Sequence, residues 1–156
     1  MTMPLAGSKG ANASSTGQPM PRFASLKSDR VNVRGGPTMD HDVVWVFTRA
    51  GLPVEITAEF ENWRRIRDDD GAEGWVYHSM LSPRRTAMVR SKAKDELVPL
   101  CDKAEEVCSA LAKLQSGVIA AVKNCTGSWC RIEGADFGGF VRQERLWGVY
   151  PGEKVN

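Results

Sequence analysis

Displacing the sequence by 66 positions lays Gly51 on Gly117, Trp63 on Trp129, Arg65 on Arg131 and Ile66 on Ile132 without a gap. After one deletion in the turn that follows, Gly74-Trp75-Val76 lies on Gly139-Phe140-Val141, and Leu81 lies on Leu146. A self-match at fixed period means one supersecondary plan used twice. The matched positions are a turn glycine, a core-sized aromatic and a closing strand, in order. A chain of 156 residues has room for two such small units.

The first copy reads as strands. Val31 and Val33 alternate with Asn32 and Arg34 before Gly35-Gly36-Pro37 breaks the run. Val43 to Phe47 is β-branched and aromatic, and Arg49-Ala50-Gly51 is a turn. Val54, Ile56, Ala58 and Phe60 alternate, Glu61-Asn62 turns, and Trp63 to Arg67 follows. Asp68-Asp69-Asp70-Gly71 is a hairpin signal, because Asp-Gly tolerates positive φ. Gly74 to Tyr77 closes the set. Short strands joined by turns, with no room for a helix of normal length, predict a small β-barrel. Residues 1–21 hold Gly, Ser, Ala, Asn, Thr and Pro without an aromatic. They bury too little apolar surface to offset ordering entropy, so disorder is expected there. The reading is all-β: a disordered segment 1–21, then barrels at 22–84 and 85–156.

One stretch supports two readings. Leu97, Leu100, Cys101, Ala104, Val107, Cys108, Leu111 and Leu114 recur at helical spacing, with Ala, Glu and Lys between them. Propensity alone makes 101–115 a helix. The repeat register makes it a strand, a turn near Asp102 to Glu106, and a second strand. The repeat is preferred, because tertiary context overrides helix propensity.

The run Val31-Asn32-Val33-Arg34-Gly35-Gly36-Pro37 resembles the opening of bacterial SH3 domains. Gly51, Trp63 and Gly74-Trp75-Val76 stand where that family carries its turn glycine, its Trp and its closing strand, and Ser79-Met80-Leu81 resembles the single turn that ends the domain. The second copy departs more: Leu97-Val98-Pro99-Leu100 replaces the opening, and Phe140 replaces Trp. The resemblance implies a non-catalytic module of the bacterial envelope, placed in the periplasm or otherwise outside the inner membrane. It also implies peptidoglycan or its peptide stems as ligand. A protein adaptor taking an extended or proline-rich peptide is the alternative.

All four cysteines lie in the second copy. Cys125 and Cys130 flank Thr126-Gly127-Ser128, a hairpin tip that can bring them within disulfide reach. The repeat places Glu59 and Arg64 at the equivalent sites, where an opposite-charge pair would bridge the same strands. Cys101 and Cys108 discriminate between the two readings of their segment. On a helix seven residues rise about 10.5 Å, too far for a bond, whereas two arms of a hairpin can meet. Two disulfides imply an oxidising compartment. Four reduced thiols in a cytosolic protein, or a zinc site, are the alternatives. The C-x₂-C to C-x₄-C spacing of typical zinc knuckles is not present at both ends, since six residues separate Cys101 from Cys108.

Chemistry beyond binding is thinly represented. His41 and His78 are the only histidines, and no nucleophile–base–orienter set accompanies them. Asp68 to Asp70 lacks calcium-loop spacing and reads as a solvated turn. No metal or cofactor is expected. A net charge of +2 without a basic stripe argues against nucleic acid, and no apolar run reaches the ~20 residues of a membrane helix. No apolar stretch follows a basic one at the start, so no signal peptide is read there. The aromatics are the ligand candidates. Trp75 and Tyr77 share the strand face opposite Val76, and with Arg34 nearby they are predicted to form a groove. Trp63 and Trp129 are assigned to the cores, and Trp147 and Tyr150 to packing between the modules.

Overall fold

The structure, a computed structural model, describes residues 16–156. The expected disorder of 1–21 therefore lies, for residues 1–15, outside the described residues. Residues 16–21 run as turns, and the Thr16 amide and hydroxyl both donate to the Glu59 carboxylate. The chain divides after Pro83 into two compact units.

The first unit has seven strands: β1 Arg22–Leu26, β2 Val31–Arg34, β3 Val43–Phe47, β4 Pro53–Phe60, β5 Trp63–Arg67, β6 Glu73–Tyr77 and β7 Leu81–Ser82. One 3₁₀ turn, His78–Met80, separates the last two. The strands form one antiparallel sheet in the order β3-β2-β6-β5-β4-β1-β7. Val31, Val33, Val54, Ile56, Ile66 and Val76 point inward and are buried. Burying side chains of this size stabilises by roughly 1.5–3 kcal/mol each.

The second unit repeats the plan with β8 Thr86–Val89, β9 Val98–Cys101, β10 Ala110–Leu114, β11 Ile119–Thr126, β12 Trp129–Glu133, β13 Gly138–Arg142 and β14 Leu146–Trp147. Their order is β10-β9-β13-β12-β11-β8-β14, which is the first order strand for strand. One strand is added: β15, Lys154–Val155, pairs with β11. The core holds Val98, Leu100, Ile132, Val141 and Cys130, all essentially inaccessible. Individual hydrogen bonds recur as well. Gly51 N–H donates to Leu26 O and Leu26 N–H to Leu52 O; Gly117 N–H donates to Val89 O and Val89 N–H to Val118 O. Gly51 and Gly117 hold φ of 83° and 99°, the left-handed turn conformation that glycine adopts without strain.

The helical reading of 101–115 is excluded. Cys101 ends β9 and Ala110 opens β10, and the Cα atoms of Cys101 and Cys108 are 5.7 Å apart. The connection is longer than the expected turn near Asp102 to Glu106. It closes where Asp102 and Ser109 meet, with Asp102 N–H donating to Ser109 O and Ser109 N–H to Asp102 Oδ1.

Both cysteine pairs are disulfides, Cys101–Cys108 and Cys125–Cys130. Cys125 faces Cys130 across β11 and β12, as Glu59 faces Arg64 across β4 and β5. Arg64 Nε lies 3.6 Å and Arg22 Nη2 3.0 Å from Glu59 Oε2, whose side chain is fully buried. An ionic lock in one unit thus occupies the place of a covalent one in the other.

Candidate functional site

A groove forms where β2 and β6 part. These strands share only one register pair, Arg34 with Trp75. Continued, the ladder would set Asn32 opposite Tyr77, but the strands splay and leave a cleft. A glycine permits the crossing itself. A Cβ on Gly74 would lie 2.3 Å from Val33 Cγ1, and one on Gly139 would lie 2.7 Å from the Cys101 carbonyl oxygen. That is why Gly opens the Gly-Trp-Val run and its repeat.

The cleft of the first unit has a volume of about 580 Å³ and is lined by Arg30, Asn32, Arg34, Met39, Trp63, Tyr77 and Met80. Asn32 and Arg34 come from one side of β2 by alternation, because Val31 and Val33 are turned into the core, and Arg30 immediately precedes the strand. Trp63 and Tyr77 are register partners on β5 and β6, with rings edge to face at 5.5 Å. Met80 comes from the 3₁₀ turn and Met39 from the β2–β3 loop. That loop is fastened to the groove, since Arg34 Nη1 donates to the Met39 and His41 carbonyls at 3.3 and 2.9 Å. The lining holds two cations and no carboxylate.

Two of the three residues assigned to the groove line it, Arg34 and Tyr77. Trp75 does not. It sits at the crossing, where the ladder is still closed, half-buried between the Arg34 and Arg65 registers. Trp63, assigned to the core, is buried and still presents an edge to the cleft. Met39 and Met80 carried no periodic signal, because a loop and a single turn deliver them.

The same cleft exists in the second unit, with a volume of about 390 Å³. Its lining includes Pro99, Cys101, Glu106, Trp129, Arg142 and Arg145. By strand register Pro99, Cys101, Trp129 and Arg142 stand where the first unit has Asn32, Arg34, Trp63 and Tyr77, while Glu106 and Arg145 lie on the loop and 3₁₀ turn that correspond to those of Met39 and Met80. Trp129, assigned to the core, is instead half-buried at the cleft, with the Arg142 guanidinium 5.1 Å from its ring centroid. Arg142 Nη2 donates to both carboxylate oxygens of Glu106, on the loop that the Cys101–Cys108 bridge ties down. Arg145 Nη1 lies 2.8 Å from Glu96 Oε1. The Lys92 amide foremost, then Arg145, hold the Glu96 carboxyl below its usual range.

The two histidines and the Asp68–Asp70 run make local contacts. His41 Nδ1 lies 2.8 Å from Thr38 Oγ1, and the His78 ring lies 4.9 Å from that of Tyr77. Neither lines the cleft. Asp68 Oδ1 accepts the Asp70 and Ala72 amides, closing its own turn. Trp147 pairs with Met88, and the Tyr150 amide donates to Glu153. No helix among the described residues is long and apolar enough to cross a membrane.

Comparison with known proteins places these features in a family. Among solved structures, NlpC1 from Trichomonas vaginalis is similar with 11% identity and a TM-score of 0.37, covering 94% of this chain and 50% of its own. NlpC2 from the same organism gives 10% and 0.36, covering 82% and 48%. An NlpC/P60 family protein from Bacillus cereus gives 10% and 0.33, covering 80% and 55%. The chain thus spans about half the length of the first two. A search of curated proteins gave no match. The family model described as "Bacterial SH3 domain" matches twice, over residues 27–83 and 94–148. Matched on both strand plans and over more than half its length, the chain belongs to the bacterial SH3 domain family, in two tandem copies.

Proposed function

We propose that this protein is a non-enzymatic binding module of the cell envelope that holds peptidoglycan by its peptide stems in the Arg34–Trp63–Tyr77 cleft. Bacterial SH3 domains typically serve as binding modules. The observation that carries the reading is the composition of the first cleft. Aromatic edges and two methionines supply an apolar floor, while Arg30, Arg34 and Asn32 supply donors and no carboxylate competes with a ligand's own. Such a lining suits a short extended peptide bearing a carboxylate, because ionised partners give the stronger hydrogen bonds. The two disulfides support an extracytoplasmic location, where thiols stay oxidised.

The test is retention of the purified protein on cell-wall sacculi at moderate salt, with Arg34→Ala as comparator. Retention that depends on Arg34 supports the reading, and passage of both proteins through the sacculi excludes it. A second reading rests on a separate observation. β3 lies at the edge of its sheet, with Val43 and Val44 exposed by 41% and 52%. An edge of that kind can take an extended protein segment by strand addition. Binding that survives Arg34→Ala but fails on insertion of a proline in β3 would favour this adaptor role.

A further inference from the structure

We propose that the cleft of the second unit is a separate carboxylate-binding site, and that in the free protein its occupant is the chain's own Glu106. The cleft is built at the same four strand positions as the first one, with a loop and a 3₁₀-turn residue at corresponding places, yet its chemistry differs. Where the first unit has Tyr77, this one has Arg142, with its guanidinium over the Trp129 ring and its Nη2 donating to both oxygens of one carboxylate. A planar guanidinium on an aromatic face, aimed at a carboxylate, is a recognition geometry for carboxylate ligands. Lys113 adds positive charge to the lining, which also holds Arg145, already paired with Glu96, and the carboxylate of Glu144.

Glu106 is poorly suited to a purely structural role. Its side chain is 73% exposed and it lies on a connecting loop rather than a strand. The fold has no need of the pair, because the Cys101–Cys108 bridge and the Asp102–Ser109 hydrogen bonds already close that loop. An exposed ion pair is a weak competitor in water, so a ligand carboxylate can replace Glu106 on Arg142. Behind it, Trp129 and Pro99 offer apolar contact to the rest of the ligand. The loop tether keeps the internal carboxylate close to Arg142 and so sets a threshold that only a ligand with added apolar contact exceeds. This inference does not depend on the first cleft's ligand.

The experiment uses the full chain with disulfides intact and follows the indole N–H signals of Trp129 and Trp63 by NMR. The titrants are N-acetyl-alanyl-alanine, its C-terminal amide, and N-acetyl-glutamate α-amide, whose carboxylate is on the side chain. The expected result is a saturable shift of Trp129 with a carboxylate titrant and none with the neutral amide. The two acids then distinguish a chain terminus from an acidic side chain as the source. Glu106→Gln should bind about two- to fivefold tighter, the span set by removing an exposed ion pair. Arg142→Lys should bind more weakly than the parent. The proposal is overturned if the Trp129 signal ignores both acids, or if Glu106→Gln binds no tighter than the parent. Because Glu106 is exposed, Glu106→Gln leaves the fold in place and the second criterion stays readable. A shift confined to Trp63 would overturn this inference while leaving the first cleft's role standing.

Discussion

The two units answer the same structural demand with different chemistry. Each must fasten its central β-hairpin and seat the arginine of its first strand. In the first unit buried Glu59 does both, pairing with Arg64 across the hairpin and with Arg22 on β1. In the second, Cys125 stands at the position of Glu59 and binds Cys130 covalently. That substitution removes the carboxylate, so Arg85, at the register position of Arg22, needs another. Glu153 supplies it, with Arg85 Nη1 and Nη2 each 2.9 Å from a carboxylate oxygen. The turn that carries Glu153 leads into β15, which lies against Cys125. The segment that carries the extra strand thus also brings the carboxylate that Arg85 pairs with. A strand plan is kept while the means of fastening it are exchanged.

The largest expected effect comes from breaking the ionic lock. Glu59→Ala leaves Arg64 and Arg22 without their shared carboxylate in a buried setting, which costs about 3–5 kcal/mol. Denaturant unfolding followed by residue-resolved hydrogen exchange should place that loss in residues 22–83 and leave 84–156 unchanged. Equal losses in both units would contradict the assignment of the lock to one of them. Breaking the covalent lock should cost less. Cys125→Ala with Cys130→Ala opens a short loop, worth roughly 2 kcal/mol in the chain-entropy model, and the loss should fall in the second unit alone.

The clefts offer a comparison in binding. Arg34→Ala removes a charged donor from the first cleft and should weaken retention on sacculi about ten- to a hundredfold, from the ~1.5–3 kcal/mol typical of hydrogen bonds to charged groups. Arg34 also holds the Met39 and His41 carbonyls, so the melting curve of the variant is the control that separates lost binding from a loosened loop. The smallest effect concerns pH. Burial raises the Glu153 carboxyl, but the Arg85 guanidinium and the Tyr150 amide outweigh it, so the group titrates below its ordinary 4.5. Because its folded value is depressed, its stabilisation is fully present above 4.5 and drains as pH falls through the folded value. Partial exposure keeps the effect near or below about 1 kcal/mol. Glu153→Gln should flatten this part of the acid limb in the second unit, as read by unfolding midpoints across pH 3 to 6.

Much of the fold was legible because barrels of this kind repeat local rules. Strand alternation grouped Val31 with Val33 and Val54 with Ile56, Ala58 and Phe60. Val31, Val33, Val54 and Ile56 are buried, whereas Ala58 is half-buried and Phe60 exposed, past the register shift between Ile56 and Ala58. The repeat carried that reading into the second unit and prevailed over helix propensity at 101–115. It even foresaw the Cys125–Cys130 bridge, because a charge pair at the matching sites already implied facing strands. The clefts were less legible. Trp75 and Tyr77 share a face by alternation, but only Tyr77 lines the opening, since β2 and β6 separate just past Trp75. Trp129 repeats Trp63, yet its neighbour across the strand is Arg142 instead of Tyr77, and it is half-buried beneath the guanidinium where Trp63 is buried.

What the sequence determined alone was periodic or punctual: alternation, turn glycines, the 66-residue repeat and the spacing of cysteines. These are local because a strand's faces follow from two-residue geometry and a turn's from one backbone torsion. The tertiary structure decided where strands part, which loop covers a cleft and which distant carboxylate an arginine finds. Arg85 reaches Glu153 across 68 positions of sequence. Such meetings depend on the curvature of the whole sheet, so no window of neighbouring residues encodes them.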